Sequence, residues 1–179
     1  MRLPVIVIAA AILSTSLTRP SRADEAFAPS DPRFVVQTVI ELTDKHALPG
    51  WDAGDFGAKL GPYLTSDFLA TVKSGARIAR KKHINLYDAE FFTGSQGLER
   101  ARLFSAALVA QDGDKATVEA SVGASDDPKV QPTSGDRTRF QLRRMAGVWK
   151  IDDFQNLEPY ARSQPSVKTL FGDPVRYGN

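Results

Sequence analysis

From residue 103 onward the apolar residues of this chain stop recurring every three or four positions and begin to alternate. Residues 103–110 and 116–122 flank Gln111-Asp112-Gly113-Asp114-Lys115, and Asp-Gly between two apolar runs is a strong hairpin signal. In the second arm Ala116, Val118, Ala120 and Val122 alternate with Thr117, Glu119 and Ser121, as in a strand with one buried face. Residues 139–144 and 148–154 repeat the arrangement around Met145-Ala146-Gly147. Between the hairpins, residues 124–136 carry prolines, aspartates and serines and read as a loop.

Upstream the period is helical. Asp31-Pro32 is a helix start, with Asp31 as cap and Pro32 in the first turn. Val35, Val39 and Leu42, widened by Phe34, Val36 and Ile40, form the apolar face, and Pro49-Gly50 ends the element. A second helix is predicted over 66–82, capped by Thr65 or Ser66, with Phe68, Leu69, Val72, Ala76 and Ala79 as its stripe. Arg77, Arg80 and Lys81 lie on its other side. Their plain reading is a solvated face whose cations complement the helix dipole; the sharper reading is a partner surface. Helices first and antiparallel hairpins after them predict an α+β fold, with the N-terminal helices covering one face of a curved antiparallel sheet. The domain is placed at 31–156, after a flexible leader at 24–30. A C-terminal tail at 157–179 contains a short docking segment near 167–171.

The first 23 residues read as an export signal. Arg2 gives the positive start, residues 3–13 are apolar apart from Pro4, and Ser21 and Ala23 place small residues before a cut after Ala23. That run is shorter than the about 20 residues that a membrane span needs; an uncleaved membrane anchor is the alternative reading, and since no other segment is apolar enough to span, no span is expected in the mature chain. Without Arg2, Arg19 and Arg22 the 23 basic residues fall by 3 to 20 against 21 acidic, a net charge of −1. Overall attraction to nucleic acid or to anionic lipid therefore has no basis in the mature charge. The expected location is periplasmic or secreted. There is no cysteine, which excludes disulfides and thiol chemistry, and two histidines make a histidine metal site improbable. Phosphate-loop, dinucleotide and Gly-x-Ser-x-Gly patterns are absent, so neither cofactor nor metal is expected.

Strand alternation sorts the adjacent carboxylates of "GVWKIDDF". Trp149, Ile151 and Asp153 share one face, and Val148, Lys150, Asp152 and Phe154 the other, unless a one-residue bulge swaps them. Adjacent strand carboxylates diverge, so they do not form a couple that shares a proton. A single inward Asp153 survives, either as a site acid or as a carboxylate satisfied at the sheet end. After the second helix Tyr87, Asp88, Phe92 and Gln96 set aromatics beside polar groups, which suits a pocket wall, although Phe91 and Phe92 could equally plug the open end of the fold.

"INLYDAEFFTGSQG", "DGDKATVEASV" and "FQLRRMAGVWKIDDF", in that order and spacing, resemble domain-of-unknown-function family 3828, a group of bacterial exported proteins. The resemblance spans roughly residues 34–154 and implies the nuclear-transport-factor-2-like cone, a curved sheet wrapped on helices. It implies no reaction, because that fold hosts isomerases, dehydratases and binding modules alike. Three readings follow. The first is a non-catalytic module binding a small ligand near Tyr87, Asp88, Phe92, Gln96, Trp149 and Asp153. The second is an isomerase or hydro-lyase with Asp153 or Asp88 as base and Tyr87 as donor. The third is a partner-binding protein, an envelope factor or an inhibitor of a secreted toxin, acting through Arg77, Arg80 and Lys81 or through a sheet edge. Monomer and homodimer are both compatible with the sequence.

Overall fold

A computed structural model describes residues 21–22, 27–46, 58–84, 100–125, 136–158 and 164–177. The first helix, α1 (Pro32–His46), starts where the cap was expected. The Asp31 carboxylate accepts the Arg33 backbone N–H at 2.8 Å and is clamped by the Arg33 guanidinium. Burial raises the Asp31 carboxyl, but the hydrogen bonds from the Arg33 side chain and backbone outweigh it and hold the group below the usual carboxylate range. The second helix, α2 (Ser66–Lys82), is capped by the Thr65 hydroxyl, which accepts the Phe68 N–H at 3.2 Å. It ends on His83 in the left-handed conformation, with Ile84 N–H reaching Ala79 O, the six-to-one closure of a Schellman motif.

Four long strands follow in meander order: β2 (Arg100–Asp112), β3 (Lys115–Ser125), β4 (Asp136–Met145) and β5 (Val148–Asn156). A two-residue strand, β1 (Ser21–Arg22), pairs with β2 at Ala106 and Ser105. It falls within residues 1–23, which the sequence reads as an export signal. All pairings are antiparallel, and both expected hairpins form. The chain is thus α+β, with helices packed on a curved antiparallel sheet.

The buried face of the sheet is made by Val118, Ala120, Val122, Phe140, Leu142, Trp149, Ile151 and Phe154. Helix α1 covers it with Val35, Val36, Val39 and Ile40. Phe154 joins the layers, edge-on to Phe68 of α2 and tilted against Phe140 of β4. The other face is wet and paired: Arg139 meets Glu119 at 2.6 Å, and Arg143 meets Asp152 at 3.3 Å.

Both ends of the domain extend further than the sequence suggested. Phe27, in the expected leader, is buried with the Arg33 guanidinium over its ring. In the tail, α3 (Val167–Gly172) and α4 (Pro174–Tyr177) pack on α2. Val167, Leu170 and Phe171 are buried in the common core, so the expected docking segment belongs to the domain.

Candidate functional site

The strongest polar constellation lies where β5, α2 and α3 meet, and a β-bulge creates it. Gln141 pairs with Asp153 and the next residue, Leu142, pairs with Ile151, so Asp152 is the extra residue. The bulge corrects the predicted face assignment. Trp149 and Ile151 do point into the core, but beyond the bulge it is Phe154 that joins them, 2 % exposed, while Asp153 does not. Asp152 and Asp153 are both half-buried and serve different elements.

Asp152 ties the N-terminus of α2 to the sheet. Its Oδ1 accepts the Thr65 hydroxyl at 2.7 Å and Lys168 Nζ at 3.3 Å, and its Oδ2 accepts Arg143 at 3.3 Å. Lys168 also reaches Asp67 at 2.5 Å. Burial alone would lower the Lys168 ammonium, but the Asp67 hydrogen bond and the Asp152 charge outweigh it and raise it. Asp67 is held below the ordinary carboxylate range, first by that hydrogen bond and then by the lysine charge.

Asp153 holds the first turn of α3. Its Oδ1 accepts the Lys168 N–H and its own neighbour's Phe154 N–H, each at 2.8 Å, and Ser166 adds a side-chain bond. Burial nonetheless pushes the carboxyl above its usual range. The enclosure that raises it lies beneath the first turn of α3. A general base needs a lone pair free to reach the substrate; here Oδ1 is taken by two backbone N–H donors.

Trp149 is 3 % exposed and its indole N–H donates to Ser30 O at 3.0 Å, which makes it a core residue with a satisfied polar tip and not a cleft wall. Tyr87, Asp88, Phe92 and Gln96 lie outside the described residues, so their convergence with Asp153 is not part of this geometry. Arg77, Arg80 and Lys81 are all exposed on α2. No group of three or more histidine, aspartate or glutamate side chains that could hold a metal occurs among the described residues, and no helix among them is long and apolar enough to cross a membrane.

Sequence reasoning missed Lys168 and Thr65 as partners of Asp152, because nothing local links positions 87 and 16 residues away. The bulge left a trace: Trp149, Ile151 and Phe154 stand two and then three apart, a spacing that an unbroken strand cannot put on one face.

No protein-family model matches the chain, and no curated protein does. Among solved structures it is similar to a phospholipid-binding protein from Ralstonia solanacearum, solved in complex with a phospholipid. That likeness has 11% identity and a TM-score of 0.44, over 82% of this chain and 86% of that one, and at those values it carries no inference about what this chain binds.

Proposed function

We propose that the chain is an exported, non-catalytic binding module of the periplasm, akin to domain-of-unknown-function family 3828 with its nuclear-transport-factor-2-like cone. In this reading it holds a small ligand or an envelope protein. The observation that carries the non-catalytic part is the employment of the two carboxylates: Asp152 is spent on Thr65, Arg143 and Lys168, and Asp153 on the first turn of α3. Groups so engaged lock elements together; they are not poised to move a proton. Export rests on Arg2, the apolar run at 3–13, and the small residues at 21 and 23.

The ligand-facing residues in this proposal are Tyr87, Asp88, Phe92 and Gln96, in the segment that joins α2 to β2. Trp149 and Asp153 are removed from that set because both are committed to packing. Thermal melting against a panel of periplasmic metabolites and peptidoglycan fragments tests it. A ligand at 100 times its dissociation constant stabilises by about 2.7 kcal/mol. The expected hit is lost in Phe92→Ala and kept in Asp153→Asn. A panel that moves nothing sinks the small-ligand version, and pull-down from periplasmic extract then tests the protein-partner version. Export is checked by mass spectrometry of the cell-envelope fraction, where a chain beginning at Asp24 is expected.

A further inference from the structure

Helix α2 runs along the β5 margin with α3 and α4 on one flank. After Asp67 each charged residue of this helix is basic: Lys73, Arg77, Arg80, Lys81 and Lys82, all exposed. Lys73, Arg77 and Lys81 stand four apart and form one row about 12 Å long. The flank facing α3 is a separate seam: Asp67 meets Lys168, Thr71 lies against Gly172, and Gly75 against Phe171. Ile78 continues that seam by helical spacing beyond Gly75 and is 38 % exposed. On α4, which packs on the same helix, Val175 is 53 % exposed beside the exposed Arg176.

We infer that this face docks the protein on an anionic lipid surface, with the Lys73–Arg77–Lys81 row among the headgroups and Ile78 and Val175 entering just below them. Cations with bare aliphatic side chains beside them are what interfacial attachment uses. Of the acids nearby, Asp67 is neutralised by Lys168; Asp173 at the start of α4 accepts the Arg176 backbone N–H and keeps its charge, one against the three cations of the row. Among the described residues the strongly exposed apolar side chains here are aliphatic, and the half-buried Tyr177 already carries the Arg176 guanidinium over its ring, so the face offers little of the aromatic platform on which single-stranded nucleic acid stacks. The inference does not depend on the binding-module reading, since a chain with no small ligand could dock in the same way.

Cosedimentation of the full chain with vesicles tests it. One set contains phosphatidylglycerol in phosphatidylcholine and the other phosphatidylcholine alone. Each lysine or arginine near an anionic surface strengthens attachment about fivefold, so Arg77→Glu with Lys81→Glu is expected to weaken binding to the anionic vesicles by at least about 25-fold. Ile78→Ser is expected to weaken it several-fold more gently. Binding of the parent to the anionic vesicles should fall as salt rises. The apolar run at 3–13 is common to parent and variants, so the reading is the difference between them. Both reversed positions are exposed, and an unchanged melting curve for the double variant separates lost docking from a lost fold. Parent and double variant binding anionic vesicles equally would overturn the inference. So would absence of the parent from those vesicles at low salt, or capture by heparin or RNA without capture by vesicles.

Discussion

Among the described residues, His83 and Ala146 are the non-glycine positions with positive φ, at 55° and 50°. At Ala146 the turn demands it. A two-residue hairpin connection matches strand twist best when both central residues are left-handed, and Gly147 supplies the second at 82°. An alanine there sits against its own carbonyl at a cost of about 1 kcal/mol. Ala146→Gly and Ala146→Asn are therefore expected to stabilise the fold by about 1 kcal/mol in urea titrations; a loss would mean that the alanine methyl has a role beyond the turn. Asp153 makes a prediction of the opposite kind. Its folded proton affinity is raised above the ordinary 3.8, so what protonation contributes to stability is complete below pH 3.8 and lost as pH rises through the elevated value. Asp153→Asn keeps an oxygen for the Lys168 N–H and removes the enclosed charge. It should match or exceed the parent's stability at pH 7, with any advantage vanishing near pH 4, as followed by denaturant unfolding at both pH values. A variant markedly weaker at pH 7 would show that the charge itself holds α3.

At the scale of elements, Gly75 decides how closely α2 and α3 approach. A methyl group there would stand 2.3 Å from the Phe171 carbonyl oxygen, a backbone atom that no rotamer change can move aside. Gly75→Ala is expected to cost about 1–3 kcal/mol in spite of alanine's better helix propensity, and to make the C-terminus more sensitive to limited proteolysis. Unchanged stability would place α3 farther from α2 than described. The caps, both hairpins and the α1 and α2 stripes could be read from the sequence because each rests on residues within one turn or one strand of each other. Gly75 could have been suspected, since a lone glycine inside a helix usually has a packing reason, but its partner 96 positions away could not be named. The bulge at Asp152 defeated simple alternation for a related reason: pairing register belongs to two strands at once, and one strand's pattern records it only indirectly. Of the candidate site, strand alternation puts Asp153 and Trp149 on one face, and the bulge at Asp152 separates them.

For the whole molecule, the tail is structural. Val167, Leu170 and Phe171 are 3 %, 8 % and 3 % exposed, and burying each such side chain stabilises by about 1.5–3 kcal/mol. A chain ending at Glu158 is expected to lose about 5 kcal/mol or more, against a total of about 5–15 for a domain. It should be found largely unfolded by circular dichroism, whereas a soluble, cooperatively melting truncation would restore the shorter domain boundary.

Among the described residues, other parts of the chain meet the outer margin of β5 at several points. Thr65 N–H bonds to Ile151 O at 2.9 Å and Leu64 bridges to Ile151, Asp153 grips the Lys168 N–H, and Gln155 reaches Gln164 O. A sheet met on one side by its own chain grows less readily through that side. If copies of this protein joined strand to strand, the β1–β2 side is where pairing is expected, and the β5 side is disfavoured.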